Sequence, residues 1–245
     1  MPMAPIMNDM TVPATPTAPA MPTAPTASVE PAGTTPALDC RQAPNTHRRT
    51  PNTHQAPNTG GPDPAPPSLD FDAVVRTHDA LSAVLPETPA WSYPLLTMAA
   101  GVDVVVKHEN VQPTGAFKVR GGVALMATLS EEERSRGVVT ASTGNHAQSL
   151  AWAGARRGAP VTVVVPTSAP ARKISAVRAL GARVIVEGET MCDSLAHAGR
   201  LAAAEGMRLV SPGDEPAIIL GHATVYLELF RRHRDLGTVY VPVGS

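Results

Sequence analysis

GVVTASTGNHAQSLAWAGARRGAPVTVVVP, Gly137 to Pro166, holds one full unit of a repeating pattern. GVVTAS, Gly137–Ser142, and VTVVVP, Val161–Pro166, are short and apolar on both faces, as strands covered from both sides must be. Asn145–Arg157 between them reads as a helix. Doubly buried strands that alternate with helices form parallel sheets clothed by helices, so the unit predicts an α/β protein.

The pattern continues on both sides. Upstream, DVVVK at Asp103–Lys107 reads as a buried strand and Phe117–Leu129 as a helix. Downstream come a helix at Ala171–Leu180 that stops at Gly181, a strand at Arg183–Glu187, a helix at Met191–Ala204 and a strand at Met207–Val210. A helix near Ile218–His233 and a strand, TVYVPV, at Thr238–Val243 follow. Before the alternation, Ser68 is placed to cap a helix over Leu69–Leu85, which Pro86 and Pro89 end. In such sheets ligands sit beyond the carboxyl ends of strands, where loops lead into helix N-termini.

Residues 1–68 follow other rules. They hold 16 of the 26 prolines, much Thr and Ala, and short echoes of one phrase, APNTH, PNTH and APNTG. Such a stretch buries too little apolar surface to offset the entropy of ordering it, so 1–68 reads as a disordered tail and 69–245 as the folded region. No Lys or Arg precedes Arg41 and no apolar core follows Met1, which argues against a targeting peptide and for the cytoplasm. The net charge of −1, with balanced charges after residue 68, asks for neither nucleic acid nor an anionic membrane, and no apolar run reaches the ~18 residues of a membrane span. Cys40 and Cys192 are too few for a disulfide framework and have no metal-ligand spacing; no metal is expected, and Cys192 reads as a small helix residue.

Two of the strand-to-helix turns carry unusual chemistry. In KHENVQPTGAFKVRGG, Lys107–Gly122, Gly115 permits a tight turn, and Phe117 begins a helix whose free N–H groups favour anions. Lys118 is one of three lysines in an arginine-rich chain, with Lys107 and Lys173. Unlike arginine, an amine can lose its proton and attack a carbonyl. The spacing equally allows a surface lysine on an amphipathic helix. In ASTGNHAQ, Ala141–Gln148, Ser142, Thr143 and Asn145 offer hydroxyls and an amide around Gly144, a turn fit to grip a carboxylate at a helix N-terminus. Ser, Thr and Asn also cap helices for local reasons, and His146 is equally readable as a satisfied interior histidine.

Taken together, KHENVQPTGAFKVRGG, ASTGNHAQSLAWAGARRG and VTVVVPTSAPARKISAVRALGARVIVEG resemble the serine/threonine dehydratase branch of the fold-type II enzymes that use pyridoxal 5′-phosphate, from about Thr88 to Gly244. The resemblance implies three-layer parallel sheets of the tryptophan-synthase-β-like fold, incomplete at the C-terminus. It implies β-elimination of L-threonine or L-serine to a 2-oxo acid and ammonia, an amino-acid substrate and a homo-oligomer. By the same resemblance Lys118 is the Schiff-base lysine and the base at Cα, and Asn145 partners the ring hydroxyl. Phe117 lies beside the ring, and Ser142, Thr143, Gly144 and His146 hold the substrate carboxylate. Gly244 opens the loop that cradles the cofactor phosphate.

The chain departs from that family at three places. Ala116 stands where serine is usual, GHAT at Gly221–Thr224 replaces GQGT and puts Ala223 at an expected helix start, and the sequence stops at Gly244 and Ser245. The last departure leads to an expectation of weak cofactor binding and little dehydratase activity, because phosphate-binding N–H groups contribute roughly 1.5–3 kcal/mol each. A racemase, a hydroxyaspartate dehydratase, a diaminopropionate lyase and a non-catalytic fragment or pseudoenzyme are the alternatives. A nucleotide-binding oxidoreductase is disfavoured by the lack of GxGxxG after a strand.

Overall fold

A computed structural model describes residues 68–242; the expected tail, apart from Ser68, and Gly244 lie outside the described residues. Its centre is a parallel sheet of β3 (Val138–Ala141), β4 (Val161–Val165), β5 (Arg183–Val186) and β6 (Arg208–Leu209), in the order β5-β4-β3-β6. Val138 pairs with Val161 and with Arg208, and Thr162 with Arg183. Every residue of β3 and β4 is buried, the condition of strands covered on both faces.

Successive residues of these strands serve opposite cores. Val138, Val161, Val163 and Val165 join Val119, Leu125, Leu150 and Ile218, whereas Val139, Ala141 and Val164 join Ala198 and Met207. The first face is covered by α3 (Lys118–Thr128), α5 (Asn145–Arg157), α6 (Ala171–Ala179) and α8 (Pro216–Arg232), and the second by α7 (Met191–Glu205). Three layers result, as expected. Cys192 lies on α7, whose start is fixed by a reciprocal cap in which Thr190 Oγ1 accepts from Asp193 N–H and Asp193 accepts from Thr190 N–H.

Several local expectations need correction. Helix α1 (Phe71–Ser82) is capped by Asp70, whose carboxylate accepts from Ala73 N–H, while Ser68 donates to Asp70. Asp103–Lys107 is not a strand of the parallel sheet. Its ordered part, β2 (Val105–Lys107), pairs antiparallel with β1 (Ala90–Ser92), an element masked in the sequence by Pro89 and Pro94. Pro94 instead starts α2 (Pro94–Ala100), which ends at Gly101 in a left-handed conformation. The small helix α4 (Glu131–Arg136) also went unforeseen, although Ser130-x-x-Glu133 forms a full capping box. No strand forms over 238–242, because no neighbouring strand among the described residues pairs with that segment. Ala223 is not at a helix start but midway along α8.

Candidate active site

Lys118 is the first residue of α3, and the turn before it is tight. Gly115 takes a left-handed φ of 67° and donates its N–H to the Gln112 carbonyl at 2.7 Å. Phe117 follows as the residue at the helix mouth. From there α3 crosses two helices at very short range. A Cβ on Gly122 would lie 2.6 Å from the Ser149 carbonyl oxygen of α5, and one on Gly221 of α8 would lie 2.6 Å from the Arg120 carbonyl oxygen. The paired glycines of VRGG, unassigned in the sequence, thus bring α5 and α8 against the first turn of α3.

That approach gives Lys118 two imidazole neighbours, His146 from α5 and His222 from α8. Burial, then the charge of Lys118 and the proximity of His222, hold His146 down at about 4. Burial and Lys118 likewise hold His222 at about 4. Both rings are therefore uncharged near neutrality. The Thr140 hydroxyl donates to the Val210 carbonyl at 2.9 Å, so its oxygen accepts from His146 Nε2–H at 3.2 Å. His146 is thus a partnered interior histidine that also lies near Lys118. His222 meets Phe117 edge to face, with ring centroids 4.9 Å apart and planes at 78°, and its buried Nε2 has no hydrogen-bond partner. Gln112 Nε2 and Thr114 Oγ1, in the turn before Lys118, are buried and unpartnered as well.

The second turn lies where β3 runs into α5. Ser142, Thr143 and Gly144 are half-buried, Asn145 is exposed, and Gly144 N–H donates to Ser142 Oγ at 3.2 Å. No side chain caps α5, which leaves its first N–H groups open to an anion. The three lysines now separate. Lys107 donates to Glu228 and to the Thr88 carbonyl, and Lys173 is exposed on α6. Lys118 is half-buried, and its side-chain amine forms no hydrogen bond or ion pair among the described residues.

A buried ionic cluster behind this site also escaped the sequence reading, although three of its members, Lys107, Glu109 and Arg120, stand in the first motif. Arg120, 1% exposed, forks onto Glu109 at 2.8 and 2.9 Å and onto Glu228 at 2.6 and 2.8 Å, and reaches Thr224 at 3.1 Å. Burial alone would raise the Glu228 carboxyl, but hydrogen bonds from Arg120 and Lys107 hold it below its usual range. Two cations and two carboxylates balance, the condition on which buried charges persist. Among the described residues, no group of His, Cys, Asp and Glu could hold a metal ion, and no helix is long and apolar enough to cross a membrane.

Residues 81–245 match the family model described as pyridoxal-phosphate dependent enzyme. The chain is 42% identical over 177 residues to an L-threonine ammonia-lyase from Thermotoga maritima, covering 72% of this chain and 44% of that one. Among solved structures it resembles the processed form of threonine deaminase isoform 2 from Solanum lycopersicum, with a TM-score of 0.65 and 37% identity over 74% of this chain and 51% of that one. It also resembles maize serine racemase, with a TM-score of 0.65 and 31% identity, covering 68% of this chain and 50% of that one. The chain thus spans about half the length of these relatives. With the three-layer α/β fold and a lysine opening a helix beside an uncapped helix N-terminus, the match places this chain in the pyridoxal-phosphate dependent enzyme family, on its fold-type II threonine dehydratase branch.

Proposed function

We propose that this chain carries the catalytic lysine and substrate loop of a lyase that takes water from L-threonine or L-serine and releases a 2-oxo acid and ammonia. The observation that carries the reading is the Lys118 amine, without a hydrogen bond or ion pair among the described residues, beside two uncharged imidazoles at the mouth of α3. The donor set fits pyridoxal phosphate: an available amine, the adjoining Phe117 ring, open N–H groups on α5 and unpartnered polar atoms in the turn before the lysine. Lys118 would hold the cofactor, with Phe117 beside its ring and Asn145 at its ring hydroxyl. When bound, the cofactor supplies an electron sink for charge developing at the substrate Cα.

The chain's own groups do the rest. Ser142, Thr143 and Gly144, with the start of α5, bind the substrate carboxylate and so orient Cα–H toward Lys118. His146, held by Thr140, fixes the first turn of α5. The Lys118 amine takes the Cα proton and passes it to the departing β-hydroxyl, which leaves as water; a water then hydrolyses the dehydrated product to ammonia and, from threonine, 2-oxobutanoate. A neutral amine is required, and uncharged His146 and His222 add no positive charge beside it. The reading further makes the protein a cytoplasmic homo-oligomer, to be checked by cell fractionation and sedimentation.

The test is an absorption spectrum on addition of pyridoxal phosphate, with Lys118→Ala as comparison, followed by assay of 2-oxo acid from threonine and serine. An imine band in the parent alone, with 2-oxo acid formed, is the expected result. The same band in both proteins removes Lys118 from the role. The likeness to a serine racemase favours a second reading, and formation of D-serine without 2-oxo acid would select it.

A further inference from the structure

The segment with the reactive lysine has a cation at each end, and both bind one carboxylate. Lys107, the last residue of β2, and Arg120, in the first turn of α3, both donate to Glu228 Oε2, and Arg120 also donates to Glu228 Oε1. Glu109, inside the segment, accepts the other side of the Arg120 fork and also accepts from Thr88 Oγ1 at 2.6 Å. His78 Nε2 of α1 lies 3.6 Å from Glu228 Oε1. Glu228 is 3% exposed and is carried by α8, two turns beyond Gly221. One side chain from α8 therefore closes residues 107–120 into a ring, and Lys118 sits two residues from the closing point.

We propose that Glu228 is a positioning residue for Lys118, which fixes where the amine stands by tying both ends of its loop to α8. The proposal rests on Lys118 being the reactive amine. A loop tethered at one end pivots about that end, whereas a loop tied at both ends to one rigid helix has little freedom left, and misplacement by about 1 Å can cost ~100-fold in a reaction that depends on orientation. The pattern goes beyond a stabilising ion pair. Stability needs only balanced charges, whereas here the two cations that share Glu228 are the ones that bracket the lysine's loop.

Three lysines allow a direct test on the full chain. Trace acetylation without cofactor, and borohydride trapping with pyridoxal phosphate, are located at Lys107, Lys118 and Lys173 by mass spectrometry, with exposed Lys173 as the internal standard. All measurements are made well below the melting midpoint. In folded Glu228→Gln, acetylation of Lys118 is expected to rise about fivefold relative to Lys173, and trapping at Lys118 to fall about tenfold. Unchanged Lys118 rates in that variant overturn the proposal. If Glu228→Gln does not fold, Lys107→Met releases one end of the loop while Arg120 keeps both carboxylates. Shifts of about threefold in the same directions support the proposal, and none in the folded variant overturns it. Thr190→Ala, which removes a helix cap in another layer, controls for destabilisation alone; an equal shift there also overturns it. If the parent traps no cofactor at Lys118 yet Glu228→Gln alters its acetylation, the positioning role stands and the cofactor reading falls.

Discussion

His146 and His222 are titratable groups buried next to a lysine, and that placement ties stability to pH. Both fall from the ordinary 6.5 to about 4 in the folded protein, chiefly because burial disfavours the charged ring. The unfolded chain therefore binds more protons than the folded one between about pH 4 and 6.5, and stability rises with pH across that window. The contribution is complete above about 6.5 and is lost as pH falls toward 4, amounting to a few kcal/mol for the pair. Urea midpoints measured from pH 4 to 8 should climb over that range, and His222→Gln should remove about half of the slope. An unaltered slope would mean that His222 titrates normally. At this scale the sequence was readable where residue type and chemistry coincide: Lys118 stood out because lysine is scarce. His222 did not, because its meaning lies in a ring contact with Phe117, a residue 105 positions earlier.

The helices meet at close range, and the closeness is written in glycines. Gly122→Ala would drive a methyl group to 2.6 Å from the Ser149 carbonyl oxygen, and Gly221→Ala one to 2.6 Å from that of Arg120. Neither neighbour is a flexible side-chain end, so helix axes must shift, and each change should cost about 1–3 kcal/mol. Gly199 in α7 is the counter-case, since a Cβ there meets nothing within 4 Å. Gly199→Ala should stabilise by up to about 1 kcal/mol through helix propensity alone. Thermal melts of the three variants check the sign of each. The core helices and the parallel strands were legible because their apolar periodicity is local. The crossings were not, since a glycine at a packing point looks the same in sequence as one that merely weakens a helix. β2 was misjudged, and its partner β1 missed, for a related reason: a run of three valines shows that a strand is apolar, but not where its partner lies or which way it runs.

At the scale of the whole molecule, the two sheets differ in how well they are covered. β3 and β4 are fully buried, whereas β1, α2 and β2 contain no buried residue. Trp91, Leu95, Met98, Val102 and Tyr240 are each more than half exposed. An open groove of about 1120 Å³ runs past Val102–Lys107, Phe117 and Leu236–Tyr240, so that among the described residues Phe117 is the one expected site residue that borders it. Val102 and Tyr240 line that groove, while Leu95 and Met98, one turn apart on α2, form a separate exposed apolar stripe; exposed apolar surface of this kind binds amphiphilic dyes while the protein stays native. Anilinonaphthalene sulfonate should fluoresce with the folded protein at neutral pH, with energy transfer from tryptophan. The chain has two tryptophans, Trp91 on β1 and Trp152 on α5, where the Arg156 guanidinium lies over its ring at 4.2 Å. Trp91→Phe should reduce the transfer and leave the dye bound, and Leu95→Glu with Met98→Glu should weaken dye binding itself. Because those two side chains bury little, the melting midpoint should stay within about 1 °C, in keeping with the small stability changes of surface substitutions. A native protein that binds no dye, or a charged double variant that unfolds, would show that this face is packed against something in solution.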